Sequence, residues 1–362
     1  MSSIWNNRIS ISIFGESHGP AIGVTIDDLP PGEYINAEEI ARFMARRFPR
    51  NDGTDGRREN IVPHIMSGIY NDRTTGTPLC AFLRNTDPEP PKADNTDRLA
   101  RPGHADYTGA VRYKGFNDVR DSGHFSEKLT APLCFAGAVA AQILERRGIY
   151  TGAHIASIHN IKDNPFDHVR LCRDHILSVR MKDFPVINDR KGWLMAEDIR
   201  KAGAAGESLG GIIECAAVNV PAGIGSPIFN GLENNIAQLI FGIPYVSGIE
   251  FGAGFGAAKM VGSQNNDPFY VDEHGHVLTK TNNHGGILGG ISSGMPVTLK
   301  VAFKPSPAVA GTQEAVDLYS MKDTEYKGAK CDPCAVPRSV PCVEAAVNIA
   351  LLSHMLDYPN FV

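Results

Sequence analysis

Two stretches of this chain are apolar on nearly every side, and they restrict its fold more than any other feature. "TAPLCFAGAVAAQILERRG", residues 130–148, reads as a helix with Thr130 as N-cap, Pro132 in the first turn and Gly148 just past the end. A second such helix runs from about Val340 to Leu356. A helix at a protein surface needs one apolar stripe, whereas a helix apolar all round must be covered on all faces. Elsewhere "RISISIF", "GVTIDD" and "MPVTLKVAF" alternate with period two and carry β-branched residues, as half-buried strands do. Covered helices together with alternating strands predict an α+β fold in which helices pack between sheets.

The chain has 362 residues, 42% of them hydrophobic, enough for a substantial core without metals or disulfides. The polar stretch "RNTDPEPPKADNTDRLA", Arg84 to Ala100, reads as a surface loop rather than a tether, so residues 1–362 are expected to form one domain. "AEEIARFMARR" reads as an amphipathic helix opened by an Asn36–Glu39 capping box and stopped by Pro49. Seven cysteines, an odd number in a chain of this length, suggest free thiols in a reducing compartment. The N-terminus has no basic segment leading into a long apolar run, so neither signal peptide nor membrane span is expected, and a cytoplasmic location is. A formal net charge of -5 gives no global attraction to nucleic acid or acidic membranes. An anionic partner must be met by a local basic cluster.

Such a cluster exists. "ARFMARRFPRNDGTDGRREN" holds Arg42, Arg46, Arg47, Arg50, Arg57 and Arg58, and no acid stands at i+4 to neutralise Arg46 or Arg47. The guanidinium fork binds carboxylate and phosphate at two points, so these side chains are candidates for anion binding, against the alternative of a solvated helix face. Two histidines lie in glycine-bounded polar loops: His18 in "FGESHGP", beside Glu16, and His104 in "RPGHADYT", beside Asp106. A neighbouring carboxylate orients an imidazole or raises its pKa, which suits proton transfer, while a merely exposed or structural histidine is the plainer reading. "NNHGGILGGISSGMP" lets backbone approach a flat or anionic ligand closely. It also contains G-x-S-x-G at Gly290, Ser292 and Gly294, but without the strand-then-helix setting that a nucleophilic serine requires. Cys331-x-x-Cys334 offers half a zinc site or a redox pair, with no second C-x-x-C; no metal site is expected.

In order along almost the whole chain, "FGESHG", "PPG", the arginine pair, "TTGTP", "NTD", "RPGHADYT", "GSQNND", "NHGGILGGISSG", "KP" at Lys304, "DPC" at Asp332 and "VP" before the last helix resemble the chorismate synthase family. The resemblance implies helices between two antiparallel sheets, a homotetramer, and a lyase of aromatic amino acid biosynthesis, in the shikimate pathway. The reaction implied is an anti 1,4-elimination of phosphate from 5-enolpyruvylshikimate 3-phosphate, giving chorismate, with reduced FMN required and no net redox change. NADPH enters only if the chain reduces its own flavin. By the same resemblance His18 protonates the leaving phosphate, His104 supports negative charge at flavin N1, and Asp332 assists removal of the ring proton through flavin N5. Arg46, Arg47 and Arg101 meet the small anionic substrate. Flavin contacts fall on His124, Phe125, Ser126, Pro244, Tyr245, Gly289, Lys304, Pro305, Ser306 and Lys330.

Several of these positions depart from the commonest family pattern. "DSGHFSEKLT", residues 121–130, stands for G-G-G-R-S-S-A-R-E-T, so His124 and Lys128 replace arginines and Phe125 replaces a serine. Lys330-Cys331 stands for Arg-His, Gly53 for a frequent arginine, and Pro244-Tyr245 for Asn-Ala. Cationic character is largely kept while two-point geometry is lost. Two alternatives follow: a flavin-binding paralogue whose substrate has changed or been lost, and a redox or metal module built on Cys331 and Cys334.

Overall fold

A computed structural model describes residues 3–48, 62–85, 98–328 and 332–358. Two five-stranded antiparallel sheets enclose the two apolar helices. The first sheet runs Ile4–Asn6, Ser10–Gly15, Ala21–Asp27, Leu79–Arg84, His64–Ser67 in spatial order. The second runs Ile161–Lys162, Tyr150–Ile158, Gly211–Val218, Val297–Phe303, Val246–Phe251. The strands expected from alternation are all present, and the α+β class with helices between antiparallel sheets is the one observed.

The helices, in chain order, are α1 (Ala37–Ala45), α2 (Asp106–Tyr113), α3 (Thr130–Glu145), α4 (Arg173–Arg180), α5 (Asp189–Ala204), α6 (Leu232–Ile240), the single turn α7 (Gly262–Asn265) and α8 (Val336–Met355). Helix α3 packs on the first sheet and α8 on the second, so the layers are sheet, α3, α8, sheet. Every residue of α3 from Thr130 to Leu144 is buried, as its composition demands. Helix α8 starts at Val336, four residues before the expected Val340, because Pro337 is tolerated in the first turn and Pro341 is carried inside.

Two local expectations are corrected. Thr130 is not a cap: a 3-10 turn over Glu127–Leu129 feeds directly into α3, and the Thr130 hydroxyl donates to the Glu127 carbonyl at 2.7 Å. Asn36 does cap α1, accepting from the N–H groups of Glu38 and Glu39, but its own N–H goes to Gln142 Oε1 at 2.8 Å. A residue of α3 thus does what Glu39 was expected to do.

The pairing of α3 with α8 fixes the rest. Cys134 Sγ lies 3.6 Å from Cys342 Sγ, and Gly137 sits against Ala345; both contacts join residues 208 apart in sequence. A constant offset means that the helices run parallel, so their N-termini share one end of the molecule. The approach at Gly137 is close: a Cβ there would lie 2.3 Å from the Ala345 Cα. Beside this contact Arg46 reaches Glu344, which is fully buried, with both terminal nitrogens at 2.5 and 2.7 Å. Glu344 also accepts from the Ala153 N–H at 2.9 Å, tying α1, α8 and the second sheet together. Gly137→Val should therefore lower the free energy of unfolding by about 1–3 kcal/mol, measured by urea denaturation, because rigid helix backbone cannot yield to the added side chain. An unchanged midpoint would show that the helices do not approach here.

Candidate active site

The N-terminal end of the helix pair gathers loops from six parts of the chain. The turn after the strand Ser10–Gly15 brings Ser17 and His18, the second of them 8% exposed. It is held by the Asp121–Phe125 segment: the Ser17 N–H donates to the Gly123 carbonyl at 3.0 Å, and the Ser17 hydroxyl to Asp121 Oδ2 at 2.8 Å. Asp121 Oδ2 also lies 3.8 Å from His18 Nε2. To present these groups the segment takes left-handed backbone at Asp121 (φ 45°), Ser122 (φ 66°) and Gly123 (φ 51°). Consecutive non-glycine residues in that region carry strain, which surroundings must hold. At Gly123 a Cβ would fall 2.0 Å from the Asp118 carbonyl oxygen, so glycine is required.

The strand ends of the second sheet supply the next groups. Tyr245 precedes Val246–Phe251 and Lys304 follows Val297–Phe303, and the Lys304 N–H donates to the Tyr245 carbonyl at 2.9 Å. Lys304 Nζ donates to the Gly103 carbonyl at 3.1 Å, which joins the His104 loop to this edge. The Tyr245 phenol is pushed well up by burial and by the negative charges of Glu127 and Asp121, while its bond with Ser306 and the charge of Arg338 pull the other way. Those partners place it between the loops. Asp332, just before α8, is ion-paired with Arg338 of the first turn and accepts from the Cys334 N–H at 3.3 Å. Arg338 reaches Glu127 Oε1 at 3.0 Å as well, linking the starts of α8 and α3. Hence the loops of His18, His104 and Asp332 are joined by a continuous set of contacts at one end of the fold.

The electrostatics differ from the sequence expectation in three respects. Asp106 does not serve His104: Arg101 takes it through Nε and a terminal nitrogen, both at 2.8 Å. His104 Nδ1–H instead donates to the Pro102 carbonyl at 3.0 Å. Burial, the Arg101 charge and, more weakly, Lys304 hold the His104 imidazole below its ordinary value rather than above it. Arginines expected to be free for an anion already have protein partners. Arg46 clasps Glu344, and Arg47, itself buried, donates to Thr130 Oγ1 at 2.9 Å. The neutralising partner of Arg46 stands 298 residues away, beyond any local rule. By contrast, Lys128 donates to the Ser17 carbonyl at 3.3 Å and Lys304 to that of Gly103, and among the described residues neither ammonium has a carboxylate at ion-pair distance. Parallel α3 and α8 add the positive ends of two helix dipoles.

The remaining expected contacts divide. Ser126, Pro244, Tyr245, Lys304, Pro305 and Ser306 lie at this end; Ser126 caps the 3-10 turn before α3, accepting from the Lys128 N–H at 3.4 Å. His124 is turned to the first sheet, bonded through Nδ1 to the Gly15 carbonyl at 2.7 Å and through Nε2 to the Ser3 hydroxyl. Phe125 lies over Gly109 of α2 and borders a cavity of about 250 Å³ with Glu16, Tyr113, Phe116, Asn117, Asp118 and His124. Gly289 sits elsewhere: its hairpin follows Gly286, which packs on Pro296 and Val297, at the opposite end of Val297–Phe303 from Lys304. Seven residues of strand separate those ends by roughly 20 Å. Lys330, Cys331, Arg50, Gly53, Arg57 and Arg58 lie outside the described residues.

The G-x-S-x-G match loses its chemistry, while Cys331 of the C-x-x-C pair lies outside the described residues. Ser292 is buried, accepts from the Ile224 N–H at 2.9 Å and donates to the Pro221 carbonyl at 2.5 Å, which makes it a loop clamp rather than a nucleophile. No group of three metal-ligating side chains occurs among the described residues. Asp121, Arg338, Glu127 and Glu344 were not singled out from sequence; Asp121 and Glu127 sit within the divergent segment, and Arg338 directly follows "VP".

Imidazoles, a carboxylate and lysines without carboxylate partners among the described residues meet at the helix N-termini, an arrangement suited to acid-base chemistry on a small anion. Comparison with known proteins gives the family. The chorismate synthase family model matches residues 9–356. A chorismate synthase of Thermococcus kodakarensis is 40% identical over 350 residues, covering 96% of each chain. One of Pyrococcus abyssi is 41% identical over 350 residues with the same coverage, and one of Dehalococcoides mccartyi 40% over 354 residues, covering 97% of this chain and 96% of its own. A solved chorismate synthase structure superposes with a TM-score of 0.77 at 26% identity, covering 98% of this chain and 94% of that one. The chain belongs to the chorismate synthase family, carbon–oxygen lyases acting on phosphates in aromatic amino acid biosynthesis.

The His104 environment gives a pH prediction. A bound anion offsets the Arg101 and Lys304 charges and raises the imidazole pKa, so binding takes up a proton and affinity rises as pH falls from neutrality toward the free value. Histidine NMR should show a His104 midpoint below 6.5 in the ligand-free protein, moving upward when inorganic phosphate is added. A midpoint at or above 6.5 without ligand contradicts this account of the site.

Proposed function

We propose that this chain catalyses the anti 1,4-elimination of phosphate from 5-enolpyruvylshikimate 3-phosphate to give chorismate, with reduced FMN and without net redox change. The observation that carries the reading is the meeting of the His18, His104 and Asp332 loops where α3 and α8 begin. The residues fit an anionic flavin and substrate. Lys128 and Lys304 lack carboxylate partners among the described residues, and His18 Nδ1 is buried without a hydrogen-bond partner, a cost that a ligand would remove. Ser126, Tyr245, Pro305 and Ser306 would frame the flavin beside Lys304. Reduced FMN supplies, when bound, an electron-rich ring that assists loss of the allylic phosphate.

The side chains then have distinct tasks. His18, with Asp121 3.8 Å from its Nε2, would deliver a proton to the departing phosphate from the unpartnered Nδ1. Lys128 and the helix N-termini stabilise the charge that develops there. His104 would support negative charge beside Lys304. Asp332, ion-paired with Arg338, would assist removal of the ring proton. Arg101 and Arg47 would contribute to substrate binding from positions fixed by Asp106 and Thr130, while Arg46 acts by holding α1 against α8.

The reading takes residues 1–362 as one catalytic domain, supported by a single main hydrophobic core from Trp5 to Met355. It also takes the chain as a cytoplasmic homotetramer; no helix among the described residues is long and apolar enough to cross a membrane. A flavin contact by Gly289 is then one made across a subunit interface, since within the chain that residue lies at the far end of the second sheet. Flavin reduction is assigned to the surroundings, with NADPH involved only if the chain reduces its own flavin.

Anaerobic assay with pre-reduced FMN and the enolpyruvyl substrate tests the proposal. Chorismate and phosphate should form in equal amounts; flavin binding without product would favour a paralogue with another substrate. His18→Ala and His104→Ala should each reduce turnover by about 10²-fold or more. Asp332→Asn should slow turnover while leaving FMN binding largely intact, and wild-type rates in all three would remove the assigned roles.

A further inference from the structure

The α3–α8 contact holds a second piece of chemistry that the elimination does not use. Cys134 and Cys342 are both buried, with sulfurs 3.6 Å apart, one to two turns inside the helix ends that frame the candidate active site. They differ in character. Cys134 donates its S–H to Cys342, and burial together with that bond pushes Cys134 well up. The same bond and the Arg47 guanidinium pull Cys342 down to about 7, against the effect of burial. Arg47 is itself fixed by Thr130 in the first turn of α3. Cys342 thus lies between the Cys134 S–H and the Arg338 carbonyl, to which its own S–H donates at 3.6 Å, and the nearby Arg47 cation favours loss of that proton.

We propose that Cys134 and Cys342 are a disulfide-forming pair that joins α3 to α8 when the protein meets a small neutral oxidant of the peroxide class. The Cys342 thiolate attacks one peroxide oxygen, the O–O bond breaks, and protonation of the leaving oxygen gives water and a sulfenic acid. Cys134 then attacks the sulfenic sulfur; the S–O bond breaks, the Cys134 proton leaves with the hydroxyl as a second water, and the S–S bond forms. Two thiols and one hydrogen peroxide become one disulfide and two waters. The sulfurs must close from 3.6 Å to about 2.0 Å, a shift that side-chain rotation and a small helix adjustment can supply. The product joins residues 208 apart and cross-links the two central helices.

Full-length protein, reduced with dithiothreitol and freed of it, should be treated with hydrogen peroxide and then denatured with an alkylating reagent present. Non-reducing peptide mapping should find the Cys134 and Cys342 peptides linked, two hydrogens lighter than the reduced pair. The thermal midpoint should rise by several degrees on oxidation and return with dithiothreitol, and it should not move in Cys134→Ala or Cys342→Ala. Recovery of both peptides alkylated and unlinked overturns the proposal, as does a Cys331–Cys334 link or an intermolecular link formed in its place. The wild-type mapping decides even where a variant does not fold.

Discussion

The close parallel contact of α3 with α8 is the constraint on which the remaining architecture depends. Each helix is too apolar to face water, and each covers the other's inner side while a sheet covers the outer. Gly137 against Ala345 sets the separation, and the common offset sets the direction. Because the helices are parallel, both positive ends emerge together, and loops from either sheet must end there to reach them. An antiparallel pair would bury the same apolar surface but would leave one N-terminus at each end of the molecule. Packing and electrostatics are thus settled by one contact.

The site built on that contact sets arginines fixed by protein partners beside lysines that have no carboxylate partner among the described residues. Arg46, Arg47 and Arg101 are paired or hydrogen-bonded within the protein; removing Arg46 would leave buried Glu344 unpaired, and removing Arg101 would leave half-buried Asp106 so. A buried pair broken on one side typically costs about 3–5 kcal/mol, so Arg46 has a structural duty whatever else it does. Lys128 and Lys304 bond to backbone carbonyls, which leave a full positive charge for an anion. The replacement of arginine by lysine at residue 128 fits this division, since a flexible point charge needs no two-point partner.

Much of this was legible in the sequence, and the gaps have definite causes. The covered helices, the alternating strands and the His18 and His104 loops all follow from local patterns, and the family follows from motifs in register. What local pattern cannot give is who pairs with whom across the chain. Asp106, two residues from His104, goes to Arg101, and Glu344 neutralises an arginine 298 residues earlier. The same limit explains why His104 is held down rather than raised: burial comes first, and the Arg101 and Lys304 charges outweigh the carboxylate of Asp106. His124 looks like a ligand contact by position, yet its two ring nitrogens bind Gly15 and Ser3 and anchor the strained loop that carries Asp121. Gly289 shares a motif region with the site but not its end of the sheet.

The most direct measurement is a crystal structure of the protein with reduced FMN and a non-reacting analogue of the enolpyruvyl phosphate substrate. The account predicts ligand density against Lys128, Lys304 and Ser306, with His18 Nδ1 at hydrogen-bond distance from the phosphate and Asp332 on the other side of the ligands. Density at the opposite end of the helices, with His18 and Asp332 both away from it, would contradict the account.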